Sequence, residues 1–143
     1  MRKLIAILLL FASLSGFAQG RETSLFDSSG EPIAYIAEEL TIYLWSGEPV
    51  AYLHPESSKL HVYGFNGKHL GWYSNGLLRD HEGDAVGGIR EAFSSHLSYE
   101  PYKSYKQYKP YKSYREYAPY QPYFSRSWSE LPLKFFLLQG VSD

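Results

Sequence analysis

Cysteine is absent from all 143 residues, and that absence removes several function classes at once. No disulfide can staple the fold, and no thiolate can hold zinc. A bacterial lipid anchor on cysteine is excluded as well. Long apolar runs are also missing. The longest, Leu4–Leu14, covers eleven residues, where crossing a bilayer takes about 20, so no transmembrane span is expected. Catalytic signatures are equally scarce. His54, His61, His69, His81 and His96 form no HExxH-type pair, and no serine sits in a G-x-S-x-G elbow. Gly67-Lys68 lacks the flanking residues of a phosphate loop. Asp80-His81-Glu82-Gly83-Asp84 has the start of a calcium loop without its downstream bidentate glutamate. The expectation is therefore no catalytic residue, no metal ligand and no cofactor.

What is present begins with an export signal. Arg2 and Lys3 precede the apolar run, and Gly16 and Ala18 supply small residues before Gln19. This layout predicts a secretory signal peptide over residues 1–18. Exported localisation follows as an expectation: periplasmic, outer-membrane associated or secreted. The remaining charge is divided. Residues 21–98 carry five Lys/Arg against eleven acids, whereas residues 99–123 carry five Lys/Arg against two acids. An acidic head with a basic arm permits self-association or attraction to an acidic partner.

A repeat emerges when four segments are aligned on Gly30, Gly47, Gly67 and Gly83: LFDSSGEPIAYI, IYLWSGEPVAYL, VYGFNGKHLGWY and LRDHEGDAVGGI. Five residues before the glycine stands an aliphatic (Leu25, Ile42, Val62, Leu78), and three after it another (Ile33, Val50, Leu70, Val86). β-Branched and aromatic residues flanking x-Gly predict a β-hairpin whose turn needs positive φ. Four residues after the glycine comes Ala34, Ala51, Gly71 or Gly87. A small-residue column implies close backbone approach. Its expected place is a pseudo-fourfold axis where the hairpins converge. In the same register His69 and His81 occupy different columns, so symmetry does not bring them together.

These residues, above all IYLWSGEPVAYL, YGFNGKHLGWY and LLRDHEGDAVG, resemble the 4-fold beta flower family of bacterial proteins of unknown function. The resemblance implies an all-β fold of four β-hairpins around a fourfold axis, over residues 23–93. It implies no activity. The fourth unit departs from the others, with Arg79 where Phe26, Tyr43 and Tyr63 stand, and Gly88 where Tyr35, Tyr52 and Trp72 stand. An opening in the aromatic packing is expected there.

Beyond the repeat, residues 99–127 are of low complexity. Tyrosine falls at every third position: Tyr99, Tyr102, Tyr105, Tyr108, Tyr111, Tyr114, Tyr117, Tyr120 and Tyr123. Period three fits polyproline II, with about 3.1 Å of rise per residue. That conformation predicts an extended, otherwise disordered tail, its phenols on one edge. A second edge carries Lys103, Lys106, Lys109, Lys112 and Arg115. Phenols stacking on sugars, with cations meeting anionic groups, make these residues the candidate binding set. The alternative is a plain spacer. Residues 128–143 contain Trp128, Leu131, Leu133, Phe135, Phe136, Leu137 and Leu138. This apolar segment is costly to expose. Ser129 and Glu130 offer a helix start with Pro132 in the first turn, so it should dock on the hairpin domain or on a partner.

The functional expectation is a non-catalytic binding or structural module of the cell envelope, contacting a partner protein or an anionic or glycan surface. Export argues against nucleic acid as a partner. The alternative is a small envelope hydrolase or ligand-binding enzyme with a site near the fourth hairpin.

Overall fold

The computed structural model describes residues 21–142. The signal-peptide expectation for residues 1–18 lies outside the described residues. Eight strands follow in order: β1 (Thr23–Phe26), β2 (Pro32–Ile36), β3 (Thr41–Leu44), β4 (Pro49–Glu56), β5 (Lys59–Gly64), β6 (His69–Ser74), β7 (Leu77–Arg79) and β8 (Ala85–Gly88). Each pairs antiparallel with the next, and Phe26 meets Gly88 to close a barrel. A short 3₁₀ turn, Arg90–Ala92, follows β8, and one helix, α1 (Leu133–Leu138), lies near the C-terminal end. No helix among the described residues is long and apolar enough to cross a membrane.

The repeat columns explain this architecture. Each repeat glycine donates its N–H three residues back: Gly30 to Asp27, Gly47 to Leu44, Gly67 to Gly64 and Gly83 to Asp80. The φ of these glycines lies between +84° and +93°, which only glycine adopts cheaply. The hairpin loops are thus three-residue turns ending in a left-handed glycine, rather than two-residue x-Gly turns. Asp27 and Asp80 reinforce them by accepting two loop N–H groups each, as Asn66 does for that of Lys68.

A β-bulge follows at the same place in all four hairpins, between Leu25/Phe26, Ile42/Tyr43, Val62/Tyr63 and Leu78/Arg79. Strict alternation would send the two residues after each turn to opposite faces. The bulge re-aims one of them, so Val50 and Ala51 both join the core, fully buried. The four aliphatics before the turns, Leu25, Ile42, Val62 and Leu78, are fully buried too.

The barrel axis is filled from the C-terminal end. Leu133, Phe136 and Leu137 of α1 are buried in the same cluster as the strand aliphatics. The small-residue column was expected to mark close backbone approach where the hairpins converge. Its glycines lie against the next hairpin and against α1 together. A Cβ on Gly71 would strike the Arg79 carbonyl and approach Phe136, and one on Gly87 would press on the Leu133 side chain and approach the Phe26 carbonyl. The reason is size: eight strands enclose a space that side chains must fill, and small residues leave that filling to α1. Pro132 stands just outside α1 rather than in its first turn, because Ser129 Oγ accepts the N–H of Leu131 and closes a separate turn. Burying three large apolar side chains contributes roughly 1.5–3 kcal/mol each.

Candidate functional site

The tyrosine-rich segment does not stand free; it is laid around the barrel as a collar. The backbone N–H groups of Ser98, Gln107, Glu116 and Ser125 donate to the carbonyls of Gly30, Gly47, Gly67 and Gly83, at 2.9–3.0 Å. Successive donors are nine residues apart, three turns of a period-three chain, so each hairpin receives one identical stretch. Ser104 and Ser113, also nine apart, donate to the carbonyls of Trp45 and Phe65. The next position is Pro122, which has no N–H. The approach is so close that a Cβ on Gly47, Gly67 or Gly83 would overlap the carbonyl of Tyr105, Tyr114 or Tyr123. The turn glycines therefore serve twice, for positive φ and for seating the collar.

Period three gives the collar distinct edges. The nine phenols point away from the barrel, between 88% and 102% exposed. The cation edge points inward, onto aromatic pairs formed across neighbouring hairpins. Tyr35 stacks on Tyr43 with ring centroids 5.5 Å apart, and Tyr52 on Tyr63 at 6.3 Å. Lys103 lies 4.9 Å from the centroids of both Tyr35 and Trp45, and Lys106 5.6 Å from Tyr43. Lys112 sits 4.2 Å over Tyr52, and Arg115 5.9 Å over Tyr63. These are cation–π contacts.

Three collar lysines form ion pairs with the head. Lys103 and Lys106 reach Glu22 at 3.2 and 2.7 Å, and Lys109 reaches Glu39 at 3.3 Å. Burial works to raise the carboxyl pKa of Glu22, but the bonds from Lys106 and Lys103 outweigh it and hold the group below its ordinary range. Burial, with the Glu22 carboxylate nearby, pushes the Tyr35 phenol up to about 12. The charge division is thus met in part within the chain, with the lysine edge laid along the head's acids and aromatic rings. The candidate binding set splits accordingly, with phenols presented and most cations engaged.

At the fourth hairpin the aromatic layer is rebuilt with exchanged partners. Arg79 replaces an aromatic on the barrel, and Phe124 replaces a cation on the collar, so the pair is exchanged rather than lost. The Arg79 guanidinium lies 5.1 Å from the Phe124 centroid and donates to the carbonyls of Gly83 and Ser125. At Gly88 the missing ring leaves room that the side chains of Leu77 and Ala92 occupy, while Phe26 is covered by Phe93 and Arg90.

The histidines are brought together by strand pairing, not by the repeat symmetry. His69 and His81 are in hydrogen-bond contact, Nδ1 to Nε2 at 3.0 Å, and His69 Nε2 meets His61 Nδ1 at 3.0 Å. They meet because bonded strands juxtapose different columns: the loop after β7 returns His81 over β6, and β5 sets His61 beside Trp72. Repeat register alone cannot show this. Burial, then the neighbouring His81 and His61, pushes His69 down to about 3, and burial lowers His61. Each N···N contact carries one proton, so a neutral row donates in a single direction. The rings lie end to end, and no three His, Asp or Glu among the described residues converge as a metal site. Glu116 ties the row to the collar: its carboxylate accepts from the His69 backbone N–H, and its carbonyl from the Tyr63 hydroxyl, both at 2.8 Å. His61 faces a cleft of about 460 Å³ between the β4–β5 turn and the collar, bordered by Lys59, Tyr114, Arg115 and Tyr117.

Comparison with known proteins bears on this whole arrangement. A family model described as the 4-fold beta flower protein matches residues 23–137. The chain belongs to the 4-fold beta flower family. The match runs past the hairpins, through the collar and into α1, so in this beta flower the wrapped segment lies within the family's span. No curated protein and no solved structure matches the chain significantly. The beta flower's barrel aromatics Tyr43, Tyr52, Phe65 and Trp72 are buried under the collar, and the exposed aromatic surface among the described residues is mostly collar phenols, with Trp128 and Phe135 besides.

Proposed function

We propose that this beta flower is an exported, non-catalytic glycan-binding module of the cell envelope, its ligand seated on the tyrosine collar. One observation carries the reading. Nine phenols stand almost fully exposed on a backbone that is itself hydrogen-bonded to a closed barrel. Such exposure of apolar rings marks an interaction surface, and a tethered backbone lowers the ordering cost of binding. Along the collar, consecutive phenols are about 9 Å apart in a polyproline II chain, a spacing close to that of every second sugar in an extended β-1,4-linked polysaccharide. The inward lysines favour a contact made by rings rather than by charge.

The test is co-sedimentation of the full chain with insoluble neutral β-1,4-glucan and with chitin. Replacing Tyr108, Tyr111, Tyr117 and Tyr120 by Ala should weaken binding tenfold or more, at about 0.5–1.5 kcal/mol per ring. Unchanged binding by the fourfold variant would end the proposal.

A second reading, a small hydrolase, has an observation of its own: the histidine row runs from exposed His81 to His61 at the cleft. It predicts turnover of a chromogenic ester or glycoside that disappears in His61→Ala.

A further inference from the structure

The collar repeats every nine residues and the head every hairpin, so each position has counterparts that say what ought to stand there. Eight residues before the turn glycine the head carries Glu22, Glu39, Lys59 and Asn75. The first two are the carboxylates that hold the collar lysines. At the third hairpin the sign reverses to Lys59. On the collar, the matching series one step of nine apart is Glu100, Lys109 and Ala118. Glu100 spans the gap to the head by accepting from Ser24 Oγ at 2.8 Å and pairing with Arg90. Lys109 spans it to Glu39. Ala118 has nothing with which to span it.

A cleft of about 460 Å³ lies at this step, bordered by Lys59 and Ala118, and one of about 470 Å³ borders Glu100 at the first hairpin. Among the described residues no carboxylate lies within ion-pair distance of Lys59 or Arg115. Two acids line the cleft: Glu116 is bonded to the His69 backbone, and Glu56, opposite Lys59 across the strands, lies beside His54. Two phenols, Tyr114 and Tyr117, stand at the mouth.

We infer that this cleft is an anion site for a carboxylated sugar residue, a uronic acid, whose carboxylate takes the place of the missing internal one between Lys59 and Arg115. Glu56 and Glu116 line the same cleft, so a carboxylate is drawn in by direct contact with the two cations rather than by a net positive charge. The inference deepens the glycan-binding reading and rests on it: the collar grips the polymer, and the cleft selects an acidic unit along it.

The experiment is calorimetric titration of the full chain with oligogalacturonate, with a neutral cello-oligosaccharide and with inorganic phosphate. Wild type should bind oligogalacturonate at least tenfold more tightly than the neutral oligomer, the worth of a charge-assisted hydrogen bond. Two variants should abolish the preference while leaving neutral binding unchanged: Lys59→Glu, which restores the head's usual acid, and Ala118→Glu, which supplies an internal carboxylate. Circular dichroism checks that both fold. Neutral binding without an acidic preference, or a preference surviving in both variants, overturns the cleft site and spares the collar. Phosphate competing as well as uronate overturns the carboxylate assignment. Uronate binding that depends on Lys59 but not on the four collar tyrosines sinks the collar reading and keeps the site. No binding of any oligomer overturns both.

Discussion

Gly67→Ala should destabilise the protein by about 2–4 kcal/mol, and most of the excess over a comparable turn should come from the collar. Gly67 has φ +90°, where a Cβ costs on the order of 1–2 kcal/mol. The same Cβ would overlap the Tyr114 carbonyl, pushing the collar off this hairpin and breaking two hydrogen bonds, from Glu116 to Gly67 and from Ser113 to Phe65, at about 1 kcal/mol each. Gly76 is the control. Its φ is +81°, but a Cβ there meets only the Ile89 and Ala92 side chains, 3.0 Å away or more. Urea denaturation of both variants should show Gly67→Ala the worse by about 1–2 kcal/mol, with m-values unchanged. Trypsin provides a local readout, since collar release bares the bonds after Lys112 and Arg115, while Lys109 is followed by Pro110. Equal loss in the two variants, with no faster cleavage at Lys112 or Arg115, would refute the seating argument.

Three other outcomes follow from the same geometry. Phe136→Ala empties the barrel axis and should cost about 3–5 kcal/mol in a melt; a loss below 1 kcal/mol would mean α1 is not a core element. Tyr111→Ala, by contrast, removes a fully exposed ring and should change stability by less than about 0.5 kcal/mol. The third concerns pH. His69 titrates near 3 in the fold against about 6.5 unfolded, so between those values the unfolded chain binds the extra proton. The stability is therefore complete above pH 6.5 and declines as pH falls below it, by at most about 1.4 kcal/mol per unit from this one group. Urea midpoints at pH 7.0, 6.0 and 5.0 should fall in that order, and a flat profile would contradict a neutral buried row.

The hairpins were legible because turn glycines and flanking aliphatics obey local rules, and Gly30, Gly47, Gly67 and Gly83 needed no tertiary knowledge. The tail's period was equally plain, but its destination was not. Reading the lysines as ligand-facing overlooked that Glu22 and Glu39 recur at one register of the head, eight residues before the turn glycine, with Lys103, Lys106 and Lys109 at a matching step on the tail. That nested period, nine against one hairpin, was present in the sequence as the recurrence of Pro101, Pro110 and Pro119. The His61–His69–His81 row was not recoverable from columns, since it depends on which strands lie side by side. The Arg79–Phe124 exchange was hidden for the opposite reason: each residue looks like a defect until its partner, 45 positions along the sequence, is placed against it.

Amide hydrogen exchange across residues 96–125 tests the collar most directly. The collar predicts protection at Ser98, Gln107, Glu116 and Ser125, with Ser104 and Ser113 also slowed, and fast exchange at the tyrosine amides between them. Uniformly fast exchange through the whole segment would mean a free tail, and the account of a phenol collar seated on a barrel would be wrong.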